Sequence, residues 1–191
     1  SLDNPEEALI CDEYPLDVSF AEALVSEAGK AIDDCRANSL ADGLALLEQA
    51  SKDERLKLDP TQSAAKMLSK QALEYLRQPL RTNDDRAKAC LDLAAGLAAF
   101  DPQQAFQAAA SLTQAERLLA NPQLIDLGPA VDALEEALEG SQQWPDTWLE
   151  DEALRLLPEA YYRFCQQGDA AACDRATAFI DLAQPGDAVP G

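Results

Sequence analysis

The chain has 191 residues, with 15 Lys+Arg against 35 Asp+Glu for a formal net charge of −20, and 47% of it is hydrophobic. That apolar fraction is ample for a core and argues against wholesale disorder, while so acidic a surface argues against nucleic acid and anionic membranes as partners, because those need clustered Lys and Arg. The sequence has no His, so Ser-His-Asp and Cys-His nucleophile pairs, HExxH zinc sites and carboxylate–His metal clusters are all ruled out.

Ala (36) and Leu (29) dominate, while Val, Ile and Thr together supply only 13 residues. Ala and Leu lose little entropy in a helix, and strands draw on β-branched and aromatic residues. The fold class is therefore expected to be all-α. No apolar run approaches the roughly 20 residues of a membrane span. The opening SLDNPEEALI carries neither a basic n-region nor an apolar h-region, and the chain is expected to be exported, with its signal segment removed.

In chain order, residues 1–16 read as an irregular arm. Ser19-Phe20-Ala21-Glu22 fits a capping box and opens a helix near 20–37, followed by one near 40–53. Asp59-Pro60 sets a cap before a Pro at the first helical position, which predicts a helix over 60–77 stopped before Pro79. The next is expected over 84–100, with Asn83 as its cap. Asp101-Pro102 repeats the start signal for 102–120; after a turn at Asn121-Pro122, a helix over 129–139 ends at Gly140, the residue a left-handed cap favours. The last pair spans 147–168, with Pro158 as a candidate break, and 170–183; residues 184–191 read as a frayed tail.

Asp17, Asp59 and Asp101 recur every 42 residues, and Ser69, Glu74 and Leu76 return as Ser111, Glu116 and Leu118. Asp85–Ala94 and Asp174–Ala183 share seven of ten residues. A period of about 42 lies in the range of helical-hairpin repeats. The expectation is one all-α domain over 17–183, of about four antiparallel hairpins stacked as a short αα-solenoid or a repeat-like bundle. Its expected core includes Leu24, Ile32, Leu44, Leu47, Leu68, Leu76, Leu91, Leu97, Leu118, Leu134, Leu138, Leu156 and Ile180.

Five cysteines occur, at 11, 35, 90, 165 and 173. Cys165 and Cys173 flank the Gln166–Asp169 turn between two helices that leave it side by side, so the two side chains can meet at the Cα separation of about 5–6 Å that a disulfide needs. The segment Tyr161–Cys173, YYRFCQQGDAAAC, resembles the cysteine-bearing αα-hairpin repeats of the Sel-like group, relatives of the tetratricopeptide repeat. The resemblance covers residues 161–183 and implies an intra-repeat disulfide in an exported bacterial protein. The other units lack the cysteine pair. Cys11 and Cys35 are read as a second bridge, leaving Cys90 as a small buried hydrophobe; the competing reading is five reduced thiols in the cytoplasm. No CxxC occurs, so a cysteine metal site is not expected.

Ser63-Ala64-Ala65-Lys66 matches SxxK, but the companion SDN and KTG motifs are missing, and the stretch reads as a solvated helix face. No Gly-rich phosphate loop or DxDxDG loop occurs, so no cofactor is expected. The informative feature is charge segregation. Between Leu118 and Leu154 there is no Lys or Arg but nine acids: Asp126, Asp132, Glu135, Glu136, Glu139, Asp146, Glu150, Asp151 and Glu152. Both tryptophans, Trp144 and Trp148, fall in the same stretch. Carboxylates around an aromatic anchor suit capture of a basic protein, and Asp132, Glu135, Glu136, Glu139, Asp146, Trp148, Glu150, Asp151 and Glu152 are the candidate partner-binding residues. The competing reading is a solvated acidic face with Trp148 in the core. The functional expectation is a non-catalytic, periplasmic inhibitor or immunity-type protein covering the active site of a basic toxin or hydrolase. The alternative is a cell-envelope scaffold holding a peptide or lipoprotein in a helical groove, and a carboxylate-based glycan-cleaving enzyme is a more distant third.

Overall fold

The computed structural model describes residues 16–78, 80 and 82–183, with side chains placed between residues 20 and 178. Among these residues the structure is all-α: α1 (Leu16–Ile32), α2 (Ala37–Ala50), α3 (Pro60–Arg77), α4 (Thr82–Ala95), α5 (Pro102–Leu119), α6 (Gly128–Gly140), α7 (Trp148–Gln166) and α8 (Ala170–Ala183), with short 3-10 turns at Glu54–Leu56 and Ser141–Gln143. No helix among the described residues is long and apolar enough to cross a membrane.

The Asp-Pro signals act as expected. Asp59 accepts from the Gln62 N–H at 3.0 Å, and Asp101 accepts from the N–H groups of Gln103 and Gln104 at 2.9 and 3.2 Å, so each satisfies donors that a helix start leaves orphaned. Elsewhere local chemistry moves the boundaries. The first helix starts at Leu16, ahead of the Ser19 capping box, and stops at Ile32 rather than 37. It stops because Cys35 adopts a left-handed φ of 54° and its N–H closes on the Ile32 carbonyl at 3.0 Å. Asp34 then accepts from the Arg36 N–H at 3.1 Å and the Ser39 hydroxyl at 2.9 Å, starting α2 at Ala37 instead of 40. Asn83 does not cap α4; it lies buried inside the first turn and donates to Gln78 Oε1 at 3.4 Å. The same helix ends at Ala95, not 100, where the N–H groups of Leu97 and Ala98 both turn back on the Ala94 carbonyl. Pro158 sits within an unbroken α7, because the carbonyl it leaves unpaired belongs to Leu154, on the exposed side of the helix.

The helices pair as hairpins α1–α2, α3–α4, α5–α6 and α7–α8, and each even helix also packs on the next odd one. Neighbouring odd helices touch, whereas neighbouring even helices touch little. The odd helices therefore form the tighter, inner layer of a curved stack. Of the expected core, Ile32, Leu47, Leu68, Leu76, Leu91, Leu134 and Leu156 are buried, Leu44, Leu97 and Leu138 pack against the core at its margin, and Leu24 and Leu118 are half-buried. Ile180 lies outside the described side chains. Between the leucines the interfaces are lined with Ala, which lets helix axes approach closely; a Cβ on Gly140 of α6 would fall 2.6 Å from the Ala108 Cβ of α5.

One polar device recurs at every step of the stack. Tyr75 of α3 donates its hydroxyl to the carbonyl of Asp33, just past the end of α1, at 3.1 Å. Arg117 of α5 donates to the carbonyl of Leu76 at the end of α3. Arg163 of α7 donates to the carbonyls of Leu119 and Asn121 at the end of α5, at 2.8 and 2.9 Å. Tyr75, Arg117 and Arg163 hold the same place, each fifteen residues after the first residue of its helix. Each therefore reaches a carbonyl at or just past a helix end, Arg163 sharing that of Asn121 with the Leu124 N–H, and the two arginines also bring positive charge to the negative end of a helix dipole.

Two disulfides brace the stack. Cys165–Cys173 closes the α7–α8 hairpin, with its Cα atoms 4.6 Å apart. The second joins Cys35 to Cys90, Cα atoms 4.8 Å apart, and ties the α1–α2 turn to the middle of α4. This corrects the expected Cys11–Cys35 bridge: Cys35 turns inward and is buried, meeting a fully buried Cys90, a contact made by stacking the first hairpin on the second. Cys11 lies outside the described residues. Cross-links over 55 and 8 residues restrict the unfolded chain to different extents, by about 4 and ~2.5 kcal/mol on loop-closure entropy. Chemical denaturation should therefore show Cys35→Ser/Cys90→Ala to be more destabilising than Cys165→Ser/Cys173→Ser; the reverse order would contradict this pairing.

Candidate functional site

Helix α6 buries Ala130, Val131, Ala133, Leu134 and Ala137, so its i, i+3, i+4 spacing turns Asp132, Glu135, Glu136 and Glu139 outward. Helix α7 brings Glu150, Leu154, Leu157 and Tyr161 along the stripe that faces α6. Between them lies an open depression of about 550 Å³, bordered by Glu135, Leu138, Glu139, Glu150, Leu154 and Tyr161. A second, of about 310 Å³, adjoins it across α6, where Gln104 and Gln107 of α5 face Glu136 and Glu139. Glu139 borders both, and the two recesses, one on each side of α6, together make up the acidic groove.

The structure divides the nine sequence candidates. Glu135, Glu136, Glu139 and Glu150 border the groove, and Asp132 lies one turn away on α6, exposed. Asp132, Glu136, Glu139 and Glu150 have no ion-pair partner among the described residues. The remaining acids have structural engagements. Asp146 accepts from the Trp148 N–H at 2.9 Å, Asp151 from the Thr147 hydroxyl at 3.1 Å, and Glu152 pairs with Arg155 at 2.7 Å. Trp148 does not join the groove. It is half-buried beneath the Arg77 guanidinium, 5.4 Å from its ring centroid, and with Trp144 and Asp146 it faces Lys66, Met67 and Lys70 of α3 across a separate cleft. Lys66 of the SxxK match therefore belongs to that cleft, and no hydrogen bond joins it to Ser63 among the described residues.

Glu135 anchors the top of the groove. It accepts from the Tyr161 hydroxyl and pairs with Arg175 of α8 at 2.7 Å, so three helices meet at one carboxylate. Arg175 also lies over the Tyr161 ring, 5.6 Å from its centroid. Burial first, then the hydrogen bond to Glu135, push the Tyr161 phenol above its ordinary range, against the opposing pull of Arg175. On the inner layer, Arg77 is held charged chiefly by its hydrogen bonds to Glu116, the nearer at 2.7 Å. Nothing in the sequence pointed to the Tyr161–Glu135–Arg175 cluster or to the Lys66–Lys70 cleft, because both join helices from different hairpins.

What the groove offers chemically is hydrogen-bond acceptance and negative charge beside apolar surface, which complements Lys and Arg side chains with their aliphatic stems. Among the described residues no three His, Cys, Asp or Glu side chains converge as a metal site. Compared with protein-family models, curated proteins and solved structures, the chain matches none of them.

Because the neutral phenol is the favoured form, the stabilisation at Tyr161 is full below the unfolded tyrosine pKa of about 10 and is lost as pH rises through the folded value. Alkaline titration at 295 nm should show a late-ionising tyrosine, and Tyr161→Phe should remove that late step. A Tyr161→Phe curve that keeps it would contradict the cluster.

Proposed function

We propose that this chain is a non-catalytic protein-binding module that receives a basic protein on the α6–α7 face. In its sharpest form it is an exported inhibitor or immunity-type protein that neutralises a toxin or hydrolase by covering a cationic active site. The observation that supports this most is the uncompensated charge of Glu136, Glu139 and Glu150 around a groove whose wall includes the exposed Leu154. Acids that serve only solubility are usually scattered. Here they border two adjoining recesses, one of them with an apolar contact at its side, the combination in which charge steers the encounter and a desolvated side chain holds it. Two disulfides suit an oxidising compartment, which favours a periplasmic location for such a protein.

The cell-envelope scaffold reading keeps one specific support, the tryptophan-walled cleft on the inner layer. It predicts binding without an inhibited enzyme.

Once a basic partner has been captured from the source organism at low salt, stopped-flow association separates a working acidic face from a solvated one. Glu136→Lys/Glu139→Lys/Glu150→Lys should slow association on the order of tenfold at low ionic strength and flatten its salt dependence. Asp42→Lys/Glu48→Lys on α2, exposed and far along the stack, should leave both unchanged. An unaltered rate for the groove variant would overturn the proposal.

A further inference from the structure

The inner layer carries a second recessed surface of opposite character. Between α3 and the segment that leads into α7 lies a narrow cleft of about 180 Å³, bordered by Lys66, Met67, Lys70, Trp144, Asp146 and Trp148. It is well below the roughly 300–1,000 Å³ of drug-sized pockets and suits a single inserted side chain. Its walls are apolar and fixed. Trp144 is buried, and Trp148 is held from above by Arg77 at 5.4 Å, itself anchored by Glu74 at 3.1 Å and Glu116 at 2.7 Å.

The electrostatics of the rim decide what fits. In a chain with 35 acids and 15 basic residues, Lys66 and Lys70 have no ion-pair partner among the described residues. Asp146 on the same rim accepts from the Trp148 N–H and Glu74 and Glu116 pair with Arg77, which leaves two ammonium groups against one carboxylate around the opening. One helical turn apart on α3, with a rise of about 6 Å between their backbone positions, both lysines border the apolar opening. We infer that this cleft binds an acidic peptide segment of a partner protein, inserting one apolar side chain between Met67 and the tryptophans while its flanking carboxylates pair with Lys66 and Lys70. The site is separate from the acidic groove, and it stands whether or not that groove takes a basic protein.

Both tryptophans of the chain border this cleft, so intrinsic fluorescence of the full, oxidised chain reports on it directly. The probe is the blocked peptide Ac-Glu-Glu-Leu-Glu-Glu-amide, which carries no aromatic residue, titrated at low salt. A saturable spectral change is expected, weakened on the order of tenfold by Lys66→Glu/Lys70→Glu or by Ser in place of the peptide's Leu, and absent with Ac-Lys-Lys-Leu-Lys-Lys-amide. The charge-swapped variant should in turn bind the lysine peptide, which separates direct pairing from misfolding, since both lysines are exposed. No saturable change, an equal response to the two peptides, or undiminished binding by the charge-swapped variant would each overturn the inference. So would fluorescence that depends on protein concentration and ignores the peptide, because the cleft would then belong to a second copy of this chain.

Discussion

The stack depends on one recurring interaction: a side-chain donor near the end of each inner helix reaches the open carbonyls at the end of the inner helix before it. Tyr75, Arg117 and Arg163 perform it in turn. Ala-rich interfaces allow helices to slide and rotate with small changes in contact area, since an Ala surface has few protruding knobs. A directional hydrogen bond to a particular carbonyl removes that freedom, and at the part-buried carbonyls of Leu76 and Leu119 the loss of the donor costs about 1–3 kcal/mol. Register along the array is thus set by polar contacts at its edge, while burial along its length supplies most of the driving force.

That register separates two recessed surfaces of opposite sign. With α5 and α7 stacked through Arg163, the outward acids of α6 face Glu150 and Leu154 across the acidic groove. With α3 and α5 stacked through Arg117, the end of α3 comes close enough for Arg77 to pair with Glu116 and cover Trp148, and the Lys66–Lys70 cleft forms on the inner layer. The disulfides reinforce the ends of the same array: Cys35–Cys90 fastens the first hairpin to the second, and Cys165–Cys173 closes the last. A shift of the α5–α6 hairpin would disturb both surfaces at once, through α6 on one side and Glu116 on the other.

Much of this was legible in the sequence wherever the signal is local. Composition announced the helices, and Asp59-Pro60 and Asp101-Pro102 placed the starts of α3 and α5. The short Cys165–Cys173 spacing gave that disulfide. Information that depends on stacking was hidden. Cys90 read as a plain hydrophobe because its partner lies two helices away, and Trp148 read as part of an acidic surface because its neighbours in sequence are acids. In space it faces the lysines of α3. Tyr75, Arg117 and Arg163 did leave a trace, since they hold equivalent repeat positions. A phenol and two guanidiniums share little as residue types, and only their common ability to donate to a carbonyl makes them equivalent.

The most direct test of this account is equilibrium unfolding of the chain with the three donors replaced together, Tyr75→Phe, Arg117→Met and Arg163→Met, followed by both far-UV circular dichroism and tryptophan fluorescence. If those hydrogen bonds couple the hairpins, the parent chain unfolds in one transition seen alike by both probes. The triple variant should then lose about 1–3 kcal/mol for each of the two part-buried arginine contacts, with less from the exposed Tyr75 contact, and show probe transitions that no longer coincide. A triple variant that unfolds in a single coincident transition at the parent midpoint would show that apolar packing alone holds the register, and would contradict the account.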